Sequence, residues 1–186
     1  MHRFVALLRA INVGGHVVKM DALRRHFEAL DLTDVSTFIA SGNVLFNASA
    51  ARPASLERTI ARALEASLGY PVGTFIRTPA QMAAAAGHSP FGPLLAGELL
   101  YVGFISAPLD AAGRRALASF VTDASDFAAR GTEVYWRRKI GSSYADFSLT
   151  RFEQAIGRAA TFRNITTVRK LADLVSKSSV PRKRSK

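Results

Sequence analysis

The sequence predicts an α+β protein made of two tandem ferredoxin-like halves, each a βαββαβ unit plus a helix, with mainly antiparallel sheets. Three observations lead there. β-Branched and aromatic runs bounded by Gly, Pro and Asn alternate with stretches whose apolar residues recur at helical spacing. A Gly- and Pro-rich loop divides the chain near its middle. Beyond that loop the same order of elements returns, offset by roughly 97 residues, without residue-level identity between the halves. The expected organisation is a first half over 1–87, a linker over 88–97, a second half over 98–176 and a disordered basic tail over 177–186.

In the first half, strands are expected at 3–10, 35–40, 43–47 and 72–77. A helix over 21–30 carries Leu23, Phe27 and Leu30 on one stripe. A second starts at Pro53, presents Leu56, Ile60, Leu64 and Leu68, and stops at Gly69. A short helix follows, with Thr78 as its cap and Pro79 in its first turn. In the second half, strands are expected at 99–106, 126–130, 133–138 and 159–163, with helices at 110–120, 148–156 and 165–176.

Composition bounds the chemistry. The 186 residues, 48% of them apolar, suffice for one substantial core or two small ones. With no cysteine, a disulfide, a thiolate nucleophile and a sulfur-ligated zinc are all excluded. The apolar run before Arg9 is short and lacks a cleavage pattern, so the expected protein is cytoplasmic and unanchored, with no membrane partner. The net charge of +11 is unevenly spread. Residues 1–129 hold 11 Lys/Arg against 10 Asp/Glu, whereas residues 130–186 hold 14 against 4. Half of the C-terminal excess lies in the last ten residues, among them Lys177, Arg182, Lys183, Arg184 and Lys186. Such a tail is either a phosphate-attracting arm or a solvated terminus.

Strand direction brings two loops of the first half together. If the first and second strands run the same way, the loop after the first shares an end with the hairpin after the second. That end carries Asn12, Gly14, Gly15 and His16 with Ser41, Gly42 and Asn43, and Arg9 below them. The amides of such a rim could cradle an anion, and Gly14 and Gly15 could equally just permit a tight crossover. Asp21 would compete as a cap for the helix amides nearby. In the second half, Arg163, Thr166 and Thr167 at the start of the last helix suit a phosphate or carboxylate, while Asn164 fits as its cap. Arg137, Arg138 and Lys139 form a basic run which, with Arg169, would contact a nucleic-acid backbone or else make a solvated face. Trp136 beside them reads as a packing residue.

Enzyme signatures are absent from the string. Neither GxxxxGK[ST], GxGxxG nor GxSxG occurs, and His2, His16, His26 and His88 lack zinc-ligand spacing. A Ser41 nucleophile would have only His16 as base, and Asp31 and Asp34 read as turn residues at the opposite end. No cofactor or metal is expected. FIASGNVLF lacks the basic-Gly-aromatic core of an RNA-binding sheet. The expected partner is therefore an anion, either nucleic acid bound nonspecifically or a small phosphorylated or carboxylated metabolite. The alternative is an enzyme of unknown reaction at the Gly/Asn/Ser rim.

ALLRAINVGGH (6–16), FIASGNVLF (38–46) and TFRNITTVRKL (161–171) together resemble the bacterial family called domain of unknown function 1697. The resemblance implies a two-part α+β fold, with Arg9, Asn12, Gly14, Gly15, Ser41, Gly42, Asn43, Arg163 and Asn164 on signature positions, and brings no established activity. The chain departs from the family pattern at three places. Ala10 stands where glycine is expected, Ile165 where tryptophan is, and Tyr144 follows Ser143 in place of lysine.

Overall fold

The computed structural model describes residues 1–12, 17–40, 42–49, 52–141 and 147–177. Among the described residues the architecture is α+β, with two four-stranded antiparallel sheets and six helices. The chain divides into two compact units, Met1–Ala84 with Arg169–Lys186, and Ala85–Val168. This differs from a division at 88–97. The boundary falls a few residues earlier, and the last helix begins in the second unit while its residues from Arg169 count with the first.

In the first unit the elements are β1 (His2–Leu8), α1 (Met20–Glu28), β2 (Thr33–Thr37), β3 (Asn43–Ala48), α2 (Pro53–Leu68) and β4 (Thr74–Arg77), in sheet order β2-β3-β1-β4. β1 is hydrogen-bonded on both edges, opposite β3 with Phe4 facing Phe46 and opposite β4 with Leu7 facing Phe75. Alternation puts Phe4, Ala6 and Leu8 on one face with Val44 and Phe46, where Leu23 and Phe27 of α1 and Ile60 and Leu64 of α2 meet them. Phe46 stacks on Phe4 at 5.8 Å between centroids and takes the edge of Phe27 at 5.5 Å. Burying each such ring contributes about 1.5–3 kcal/mol. α3 (Pro79–Gly87) opens on a capping box, in which Thr78 Oγ1 accepts from the Gln81 amide and Gln81 Oε1 accepts from the Thr78 amide.

β1 ends at Leu8, two residues before the predicted end, because Ala10 turns to a left-handed φ of 66°. β2 is shifted towards the N-terminus relative to its expected span, since Ile39 at φ 51° cannot continue a strand. Asp21 is not the cap of α1. The N-cap is Lys19, no side chain caps there, and Asp21 pairs instead with Arg24.

The second unit runs β5 (Leu99–Ile105), α4 (Ala111–Ala118), β6 (Ser125–Arg130), β7 (Glu133–Arg138), α5 (Leu149–Ile156) and β8 (Ala160–Asn164), in sheet order β6-β7-β5-β8, and α6 (Ile165–Lys177) follows. Asp110 and Ser148 cap α4 and α5 by accepting from the Gly113 and Arg151 amides. Against buried Ile105, Leu117, Val134 and Ile156 packs an aromatic cluster. Phe127, Trp136, Phe147, Phe152 and Phe162 touch one another, Trp136 lying 4.3 Å from Phe147 between ring centroids. Gly103 makes room for this cluster, for a Cβ there would sit 2.6 Å from the Phe162 ring.

Gly103→Ala is therefore expected to destabilise the second unit by about 1–3 kcal/mol, since a packed ring and a central strand would both have to move. Urea denaturation followed by the fluorescence of Trp136, the single tryptophan, measures this directly. An unchanged midpoint would show that the ring yields without strain.

Candidate functional site

At one end of the first sheet the loop after β1 and the β2–β3 turn meet, Asn12 bonding the loop to the turn and Asn43 bracing the turn from within. Asn12 Nδ2 donates to the Ala40 carbonyl at 2.9 Å, and Asn12 Oδ1 accepts from the Val18 amide at 2.7 Å. The first bond ties the loop to the turn, and the second ties the loop's two ends to each other. Asn43 is fully buried, and its Nδ2 donates to the Phe38 carbonyl at 3.1 Å while its own carbonyl accepts from the Phe38 amide. Both asparagine side chains thus hold backbone in place.

The backbone they hold is strained. Ala10, Asn12 and Ile39 have φ of 66°, 56° and 51°, in the left-handed region that side chains with a Cβ disfavour by about 1–2 kcal/mol per residue. Gly42, at φ 72°, sits where a Cβ would come 3.1 Å from the Leu8 and Ile11 Cβ atoms, so any other residue would be strained in its backbone and crowd both neighbours. Its carbonyl accepts from the Leu8 amide at 2.8 Å. Arg9, half-buried beside this turn, donates its amide to the Gly73 carbonyl at 2.7 Å, which brings the start of β4 to the same end. Of the rim residues expected from strand direction, Arg9, Asn12, Gly42 and Asn43 come together. Gly14, Gly15, His16 and Ser41 lie outside the described residues.

The C-terminal set is not brought together as an open site. Arg163 points inward, 8% exposed, and its Nη1 donates to Thr161 Oγ1 at 2.8 Å and to the Phe162 carbonyl at 2.9 Å. A guanidinium so placed serves the fold. Asn164 Oδ1 accepts from both the amide and the hydroxyl of Thr166 at 2.9 Å, which makes it the cap of α6 and engages Thr166 as well. Thr167 is half-buried in the first turn. Ile165 is 4% exposed, so the position where tryptophan was expected holds a packing side chain in this chain.

The basic run is not a solvated face either. Asp126 accepts from Arg137 through Nε at 2.8 Å and through Nη2, and pairs with Lys139 at 3.2 Å. Glu98 stands 3.9 Å from the same guanidinium, which also lies over the Phe91 ring at 5.1 Å. Arg138 is half-buried and Arg169 exposed. Burial would push the Asp126 carboxyl up, but the hydrogen bonds from Arg137 and Lys139 outweigh it and hold the group below its ordinary value.

Catalytic signals are thin among the described residues. No group of three or more His, Asp or Glu is placed to hold a metal ion. Glu57 has its carboxyl pushed up by burial, against the Ile76 amide that it accepts at 2.8 Å and nearby Arg77 and Arg58. It sits at the start of α2, whereas the rim lies where α2 ends. Sequence reasoning missed the strain at Ala10 and Ile39. The departure from glycine at position 10 was its one visible signal.

Two outcomes are expected. Ala10→Gly relieves about 1–2 kcal/mol of left-handed strain against about 0.5–1 kcal/mol of added chain entropy, so thermal denaturation should show a net gain of up to about 1.5 kcal/mol. A loss would mean that the Ala10 side chain makes packing that outweighs the strain. Asp126→Asn should lower stability at neutral pH by about 1.5–3 kcal/mol. Because the folded-state value of Asp126 is lowered, its contribution is present above the ordinary carboxylate range and fades as pH falls through the lowered value. The variant's deficit in urea titrations should therefore shrink on acidification. A deficit independent of pH would remove the charge from the explanation.

Comparison with known proteins places the fold. A solved structure, that of conserved bacterial protein SP0830 from Streptococcus pneumoniae, superposes with a TM-score of 0.74 at 22% sequence identity, covering 95% of this chain and 99% of that one. No curated protein matches the sequence. Among the described residues, no helix is long and apolar enough to cross a membrane. The family model described as "Protein of unknown function (DUF1697)" matches residues 1–135 of the 186, and the chain belongs to that family.

Proposed function

We propose that this protein binds a small anionic metabolite, phosphorylated or carboxylated, at the rim where Arg9, Asn12, Gly42 and Asn43 meet. The observation that carries the reading is the left-handed backbone at Ala10, Asn12 and Ile39, held by the side-chain bonds of Asn12. Strain of this kind persists where the surroundings over-determine it, and it clusters at ligand sites. The diglycine of the same loop, Gly14 and Gly15, would supply amides to an anion, and Arg9 the charge. The role assigned is binding and not a reaction, because amides and a guanidinium neither exchange protons near neutral pH nor act as nucleophiles. The strand orders β2-β3-β1-β4 and β6-β7-β5-β8, antiparallel throughout, support reading each half as ferredoxin-like.

Nucleic acid is the less favoured anion. Arg137 and Lys139 already share Asp126, and Arg163 faces the interior, so these three offer a duplex or single strand little uncompensated charge.

The test is a thermal-shift titration of the full chain with inorganic phosphate, alongside Arg9→Gln and a variant whose Arg182, Lys183, Arg184 and Lys186 are all changed to Gln. At a hundredfold excess over Kd, bound phosphate should stabilise the wild type by about 2.7 kcal/mol. The effect should vanish in Arg9→Gln and survive in the tail variant. Stabilisation that depends on the tail and not on Arg9 would move the anion, and the reading, to the C-terminal arm.

A further inference from the structure

A cavity of about 400 Å³ lies wholly within the second unit, where the end of α4, the turn into β6 and the first turn of α5 converge. Its size falls in the range of small-molecule pockets. Its walls are of two kinds. On the sheet side are Phe127 and Trp136, which are cross-strand neighbours, and Phe147 lies against both. These rings are close to parallel, with interplanar angles of 3° between Phe127 and Trp136, 27° between Phe127 and Phe147 and 29° between Trp136 and Phe147. Phe120 closes the helix side edge-on to Phe127. Phe120, Phe127 and Phe147 are only half-buried, so three aromatic rings around one opening keep contact with water.

The second wall is polar and positive. Ser148 caps α5, an eight-residue helix, and Arg151 one turn along is the one charged residue among the described residues that line the cavity. The amides of the first turn add the positive end of the helix dipole. Ser125 Oγ accepts from Trp136 Nε1 at 3.0 Å, which fixes the indole in the wall and leaves the serine hydroxyl its own proton to donate.

We infer that this cavity is a binding site for a planar, fused-ring aromatic carboxylate, its ring laid against the half-exposed Phe120, Phe127 and Phe147, which the buried Trp136 backs, and its carboxylate directed to Arg151 and the start of α5. Three half-exposed aromatic rings around one opening favour an aromatic body, met edge-on or offset, over an aliphatic one of equal volume. Among the described residues that line it, one cation and no acid favour an anionic head. The site is independent of the rim in the first unit.

The test is isothermal titration calorimetry of the full chain with 2-naphthoate and with its uncharged analogue 2-naphthamide. Naphthoate should bind the wild type about tenfold more tightly than the amide. Arg151→Gln, an exposed position that leaves the core intact, should abolish that difference by weakening naphthoate alone. Ala124→Leu, which places bulk on the lining, should weaken both compounds. Arg9→Gln should change neither, which separates this site from the rim. No binding of naphthoate to the wild type at millimolar concentration, equal affinity for acid and amide, or an affinity indifferent to Arg151→Gln would each overturn the assignment.

Discussion

The pairing of β1 with β3, in register from His2 opposite Ala48 to Leu7 opposite Asn43, decides where every loop of the first unit falls. With β1 hydrogen-bonded on both edges, its backbone groups are satisfied and its position is fixed. The two helices must then cover the face that carries Phe4, Ala6 and Leu8. The β2–β3 turn is forced to the end at which β1 stops, and β4 begins at that end too. Leu8 and Arg9, the first residues beyond or at the edge of this ladder, donate their amides to Gly42 and Gly73. The turn and the loop share so little space that a Cβ on Gly42 would crowd both Leu8 and Ile11.

That crowding explains the chemistry of the rim. A backbone that must reverse direction within Ala10, Ile11 and Asn12 adopts left-handed φ at two of the three, and hydrogen bonds worth about 0.5–1.5 kcal/mol each offset the strain. Asn12 suits the position on both counts, because asparagine tolerates left-handed φ and its short amide reaches Ala40 and Val18 together. Ala10 has no such compensation, and glycine is what the family resemblance leads one to expect there.

The charge of this protein shows how composition and surface diverge. A net of +11 suggests an open basic face, yet the arginines nearest the sheets are engaged. Arg3 is bound to Asp34 and Asn47, Arg137 to Asp126, and Arg163 to Thr161 and the Phe162 carbonyl. Burial lowers the Arg3 guanidinium from its ordinary value even with the Asp34 carboxylate beside it. A carboxylate such as Asp126, shared by Arg137 and Lys139, is invisible in a charge count because the three are brought together by β6 pairing with β7.

By itself the sequence determined the order of the elements and most of their extents. Periodicity and capping are local: the stripe Leu56, Ile60, Leu64 and the Thr78–Gln81 box can be read wherever the chain goes. Strand direction, another consequence of order alone, also placed Asn12 near the β2–β3 turn. Only the tertiary structure decided that Arg163 turns inward, that Arg137 is neutralised, and that Trp136 joins Phe127 and Phe147 in one cavity wall. These outcomes depend on which residues face each other across strands and which helix end closes a sheet. Such contacts join positions far apart in the chain, and no local pattern in the sequence encodes them.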